Sequence, residues 1–262
     1  MTTSTEPDAR AGTLHPSATA VGRARLRRLT RVAGVLYLAS FVLYPLSTMA
    51  RSLLVVPADA ATTAGNIAAN ETLFRLGMAG EAVVVLIEIV LAGALYALLR
   101  PVSRGLSMAA ALARAGEGVV MAAGNLVTSI VTLIMVGGAG YLTALSVEQR
   151  DALALAFQEA NGQVVLVWGL FFGLHLLLLG RLVQRSGFLP RLIGVLLLLA
   201  GIGYLVQSFG VLVWPGASGV LDAAVLVVAI PGELVFALWL LVRGVDADVW
   251  TRRVAASRES EV

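Results

Sequence analysis

Hydrophobic positions in this chain come in long runs, and polar positions gather in short interruptions between them. Residues 164–205 show the pattern most clearly. From Val164 no charge appears before Arg181, and about twenty apolar residues in a helix cross about 30 Å of hydrocarbon. Ser186, Gly187 and Pro190 then interrupt the run, because Gly tolerates unusual backbone angles and Pro lacks an N–H. Arg191 opens the next run, to about residue 213. The same reading predicts further spans over 32–49, 74–99, 106–136 and 221–242. The expected fold is all-α: a polytopic membrane protein with six transmembrane helices in a bundle.

Between the spans the pattern changes. Asp59 is placed to cap a short surface helix through Ala69. Ser146 and Gln149 have the spacing of a capping box. They are expected to open a separate helix over 147–160, lying along the outer surface. Gly137, Gly138 and Gly140 end the third span, and Trp214, Pro215 and Gly216 make a tight turn before the sixth. Residues 1–30 are expected to form a disordered, basic cytoplasmic tail, 31–243 the membrane domain and 244–262 a second cytoplasmic tail.

Charge orients this bundle. All 19 basic residues are Arg. Fifteen fall in the segments expected inside: Arg10, Arg23, Arg25, Arg27, Arg28, Arg31, Arg100, Arg104, Arg181, Arg185, Arg191, Arg243, Arg252, Arg253 and Arg258. Three, Arg51, Arg75 and Arg150, fall at the opposite edges, and Arg114 lies within a span. Short loops rich in Arg stay cytoplasmic, so both termini are expected there, in a cell inner (plasma) membrane. These arginines read first as topology anchors.

Composition narrows the chemistry. The chain is 58% hydrophobic and 13% charged, against about 25% charged in soluble domains. The absence of cysteine excludes disulfides, thiolate catalysis and Cys-based metal sites. The absence of Lys excludes a lysine Schiff base. No cofactor or metal is expected, since one His in the membrane region makes a poor ligand set. Membrane lipids and a lipophilic or small-molecule ligand are the expected partners. The net charge of +3 suits anionic headgroups without nucleic acid.

An ionisable residue inside a span costs at least about 2.5–3.5 kcal/mol and turns toward the bundle interior. Glu88, Glu233 and His175 lie near mid-span, Glu117 and Asn125 in the third span, and Glu81 nearer the outer edge. At about 100° per residue, Glu81 shares a face with Glu88, Asp222 with Glu233, and Trp168 with His175. Tyr37, Tyr44 and Arg51 form a stripe on span one. Gly194, Gly201 and Ser208 form a small-residue face on span five, suited to close helix approach. The expectation is one polar cavity holding Glu88, Glu233 and His175, with Glu117 and Asn125 on its inner wall and Glu81 as a further candidate. Plainer roles stand beside this. Arg114 and Glu117 read as a structural ion pair, His175 as an interhelical hydrogen bond, and Glu81 as a partner of Arg75.

Several stretches are distinctive: LVVPADAATTAGNI and LFRLG within 53–77, ALYALLRPVSR at 94–104, FFGLHLLLLG at 171–180, RSGFLPRLIGVLLLLAGIGYL at 185–205 and ELVFALWLLVRG at 233–244. Over roughly 30–245 the chain resembles a bacterial integral-membrane family catalogued as domain of unknown function 4386. The resemblance implies a membrane location and assigns no residue a role.

Three function classes remain open. Buried Glu and His suit a small-solute or proton-linked carrier or sensor, although no internal repeat is evident. They equally suit an intramembrane enzyme using carboxylate acid/base chemistry on a lipid or isoprenoid substrate. In a structural or partner-binding protein the stripes would only specify packing.

Overall fold

A computed structural model describes residues 16–259, helical almost throughout, with no strand among them. The elements are α1 (Pro16–Ser52), α2 (Ala60–Ala69), α3 (Glu71–Leu99), α4 (Arg104–Met121), α5 (Val127–Gly137), α6 (Val147–Ser186), α7 (Arg191–Val213), α8 (Ser218–Val242) and α9 (Ala247–Glu259). A π-helical segment, Ala122–Leu126, joins α4 to α5 within one span. Six helical stretches are long and apolar enough to cross a membrane. Each packs on the next, and α8 closes back on α1, so the six spans form a ring.

Two boundaries differ from expectation. The tail expected through residue 30 is helical from Pro16, and its first fifteen residues lie outside those described. Residues 23–29 are Arg, Ala and Leu, strong helix formers that propagate the membrane helix outward. Leu26 and Thr30 are buried there. The surface helix expected over 147–160 is instead the start of α6, a single 40-residue helix. At 1.5 Å per residue it is about 60 Å long. The capping box does form, with Ser146 accepting from the Gln149 amide and Gln149 from the Ser146 amide. Nothing breaks the helix after Ala160, because its polar residues find partners on the third span. Gln158 donates to Thr132 Oγ1 at 2.8 Å and Asn161 to Thr128 Oγ1 at 2.9 Å.

The turns follow local chemistry. Asp59 caps α2, and the Thr62 hydroxyl and amide hold its carboxyl below the usual carboxylate range. Gly138 and Gly187 end α5 and α6 in the left-handed region, at φ 61° and 74°, where a Cβ is costly. The small-residue face on α7 packs on glycines of α6. A Cβ on Gly201 would lie 2.8 Å from the Gly173 carbonyl oxygen, and one on Gly169 2.4 Å from Ser208 Oγ.

The larger apolar cluster fills the end of the ring at the arginine-rich turns, and a smaller one of Leu54, Ile67 and Phe74 lies at the opposite end. Leu98, Leu179, Leu182, Ile193, Leu197 and Leu240 meet in the larger cluster with almost no exposure. Helix α9 lies across the arginine-rich end. Arg23 of α1 pairs with Asp248 at 2.8 Å, and Trp250 donates to the Leu98 carbonyl at 2.9 Å. The N-terminal end of α1 and helix α9 therefore share one end of the bundle.

Candidate functional site

Midway along the ring the leucine core gives way to polar side chains. Arg114 on α4, 1% exposed, is their hub. Its guanidinium meets Glu88 of α3 at 2.7 Å and Glu117, one turn on, at 4.0 Å. It stands over the Tyr37 ring at 4.6 Å and faces Phe172 at 5.6 Å. The pair expected with Glu117 is thus the looser one, and the closer partner comes from another helix.

His175 holds the hub from behind. Its Nε2 lies 3.1 Å from an Arg114 nitrogen and its Nδ1 2.8 Å from the Ala110 carbonyl oxygen. Arginine has only donors, so Nε2 accepts. A carbonyl has no hydrogen, so Nδ1 donates. Both nitrogens are committed in a neutral ring, which leaves His175 as a positioning residue for Arg114. Its expected place facing the cavity is corrected: the ring sits behind Arg114, outside the cavity wall.

In front of the hub lies a cavity of about 400 Å³, walled by residues of α1, α3, α4, α6, α7 and α8. Glu88, Glu117 and Glu233 all line it. Glu233 accepts from the Tyr204 hydroxyl at 3.1 Å. Glu117 is buried against Glu88, and the Tyr37 hydroxyl against Glu233 and Arg114. Asp222, exposed nearer the far end of α8, accepts from Gln207 at 2.7 Å. Trp168 anchors an aromatic wall. Its ring stacks with Phe172 at 4.7 Å and Tyr44 at 6.2 Å and meets Tyr204 edge-on at 5.4 Å.

Asn125 is not on the inner wall of this cavity. It sits in the π-helical segment, in the half away from the arginine-rich turns, and lines a second cavity of about 300 Å³. A π turn frees carbonyls that an α-helix would pair. Here Thr128 Oγ1 donates to the Gly124 carbonyl at 2.5 Å, and Asn161 donates to that of Asn125 at 3.1 Å. The second cavity also takes in Arg51, Ser52 and Gln158, and it shares Tyr44 and Val165 with the first. Those two side chains form the partition, and Tyr44 pairs with the Asn125 side chain.

Glu81 stands apart from both cavities. Its partner is Arg51, in a buried pair, and Arg51 also donates to Ser129 Oγ at 2.9 Å. Arg75 pairs instead with Glu71 at 2.6 Å, one turn away on the helix surface. Gly77 makes room for the buried arginine, since a Cβ there would lie 2.8 Å from Arg51 Cγ.

Sequence reasoning named three of the cavity carboxyls and missed the centrality of Arg114 and the aromatic wall. The signal for Arg114 was present: it is the one arginine deep within a span. Aromatic residues are common in apolar helices and carry no such mark. Among the described residues, no three or more His, Asp or Glu side chains are grouped to hold a metal ion.

Residues 32–244 match the model of a family described as Domain of unknown function (DUF4386). An uncharacterized protein of Archaeoglobus fulgidus is 30% identical over 165 residues, covering 63% of this chain and 82% of that protein. No solved structure matches the chain.

Proposed function

From the premise that this chain belongs to the DUF4386 family, an integral membrane family without an assigned activity, we propose that it is a proton-linked carrier of a small solute. One observation carries the reading. Two cavities that share Tyr44 and Val165 lie along the ring, and a buried leucine core closes the bundle at the arginine-rich end. The outer cavity reaches Arg51 and Ser52 at the end of α1, while the central one ends on Glu88, Glu117 and Glu233. That arrangement gives a binding site access from one side and a seal on the other. Buried carboxyls are the standard parts of proton coupling in membranes. Helix packing alone would be served by filled space.

In this reading the sealed, arginine-rich end faces the cytoplasm of the plasma membrane. In the cysteine-free chain, cysteines introduced singly at the exposed positions Ala144 and Arg185 are expected to label from outside and inside respectively. Labelling of both from one side would overturn the orientation.

Transport is tested in proteoliposomes loaded with a pH-sensitive dye and given gradients of a panel of cationic, neutral and anionic solutes. At least one solute is expected to drive proton movement. Val165→Trp, which obstructs the partition and leaves every ionisable group in place, is expected to reduce that movement at least tenfold. An absence of solute-driven proton movement across the panel would overturn the carrier reading.

A further inference from the structure

We propose that the central cavity binds an amphiphilic organic cation, an alkyl- or arylammonium group with an apolar body. This rests on the reading of the cavity as a solute site and names the class of solute.

Charge is the first argument. Four carboxyls, Glu88, Glu117, Asp222 and Glu233, line the cavity against one guanidinium, Arg114. That guanidinium is already engaged by Glu88, by His175 Nε2 and by the Tyr37 ring. Both of its terminal nitrogens are held by the protein, and Nε points toward Glu117 at 4.0 Å, so an anionic solute would meet carboxyls first. Glu117 is 1% exposed, and its carboxyl lies against that of Glu88. Two carboxyls side by side in a buried site disfavour each other's charge, and a positive charge beside them offsets that cost. Glu233 is held by the hydroxyls of Tyr204 and Tyr37 and by no ion pair.

The aromatic wall is the second argument, and it is independent of the carboxyls. Trp168, Tyr44 and Tyr204 line the cavity beside Phe172, the ring that faces Arg114. Indole and phenol faces attract cations within about 6 Å of the ring, most strongly where water is excluded. The third argument is the rest of the lining. Val84, Val225, Leu226 and Ile230 offer no hydrogen bonds and accommodate hydrocarbon. A volume of about 400 Å³ falls in the usual range for drug-sized ligands, about 300–1,000 Å³. A small hydrated inorganic cation would leave that apolar wall unused.

The test is direct binding to the purified full chain in detergent, by calorimetry. Three probes are compared: benzyltrimethylammonium, its uncharged carbon isostere neopentylbenzene, and phenylmethanesulfonate. The cation is expected to bind at least tenfold more tightly than either other probe. Glu233→Gln keeps an acceptor for Tyr204 and leaves the Arg114–Glu88 pair untouched, and is expected to weaken the cation at least tenfold without affecting neopentylbenzene. Trp168→Leu is expected to weaken the cation by a similar factor. Monodisperse elution and an unchanged unfolding temperature establish that each variant is folded. Equal affinity for cation and isostere, preference for the sulfonate, or no cation binding at millimolar concentration would each overturn the proposal. Solute-driven proton movement by a neutral or anionic solute would then leave the carrier reading standing. Cation binding without any transport would instead overturn the carrier reading alone.

Discussion

Replacing Glu81 by Met is expected to destabilise the protein by about 3–5 kcal/mol, the range for breaking a buried ion pair by removing one partner. Glu81 is fully buried and Arg51 is 3% exposed. The substitution leaves the Arg51 guanidinium in a low-dielectric site with Ser129 Oγ as its remaining side-chain acceptor. An arginine side chain stays protonated in proteins, so the site has no route to neutrality. Arg51→Met leaves a carboxyl behind, and a carboxyl can neutralise itself by taking up a proton. Its cost is therefore expected to be the smaller of the two. The double variant Arg51→Met/Glu81→Met removes both charges and is expected to recover most of the loss, since apolar replacement of a buried pair is often neutral or better. Thermal unfolding in detergent, read as a double-mutant cycle, checks this. Equal costs for the two single variants, or no recovery in the double, would refute the account.

Arg114→Met carries the second large effect, expected at about 3 kcal/mol, the low end of that range, because the carboxyls left behind can take up a proton. Its guanidinium joins α4 to Glu88 of α3, to His175 of α6 and to the Tyr37 ring of α1. Without it, Glu88 and Glu117 face each other with no cation between them, and His175 Nε2 loses its donor. Glu88→Gln added to Arg114→Met removes one carboxyl of that cluster and is expected to restore part of the stability. Residues in one network couple by about 0.5–3 kcal/mol, so the two substitutions should be clearly non-additive. Unfolding midpoints of the four proteins decide it. Additive losses would place Glu88 and Arg114 in separate roles despite their 2.7 Å contact.

Much of this protein is written in one dimension. Twenty apolar residues between breakers make a membrane helix whatever surrounds them, because a backbone in hydrocarbon must satisfy its own hydrogen bonds. The six spans, the Asp59 cap, the Ser146–Gln149 capping box and the family membership all rest on such local signals. Helical phase likewise placed Gly194, Gly201 and Ser208 on one face, and that face is where α7 meets α6.

Tertiary structure decided which polar residue meets which. Phase and depth put Glu88, Glu233 and His175 near mid-span and Glu117 in the inner half of its span, but are silent on the rotation of one helix against another. Only packing gives Glu88 rather than Glu117 the close contact with Arg114, turns His175 behind that arginine, and hands Glu81 to Arg51 on a different helix. The same holds for the start of α6, whose mixed composition reads as a surface helix until Gln158 and Asn161 find partners on the third span. A polar side chain costs too much to leave unpaired in a membrane. Its sequence therefore announces that a partner exists, and the fold alone determines which one.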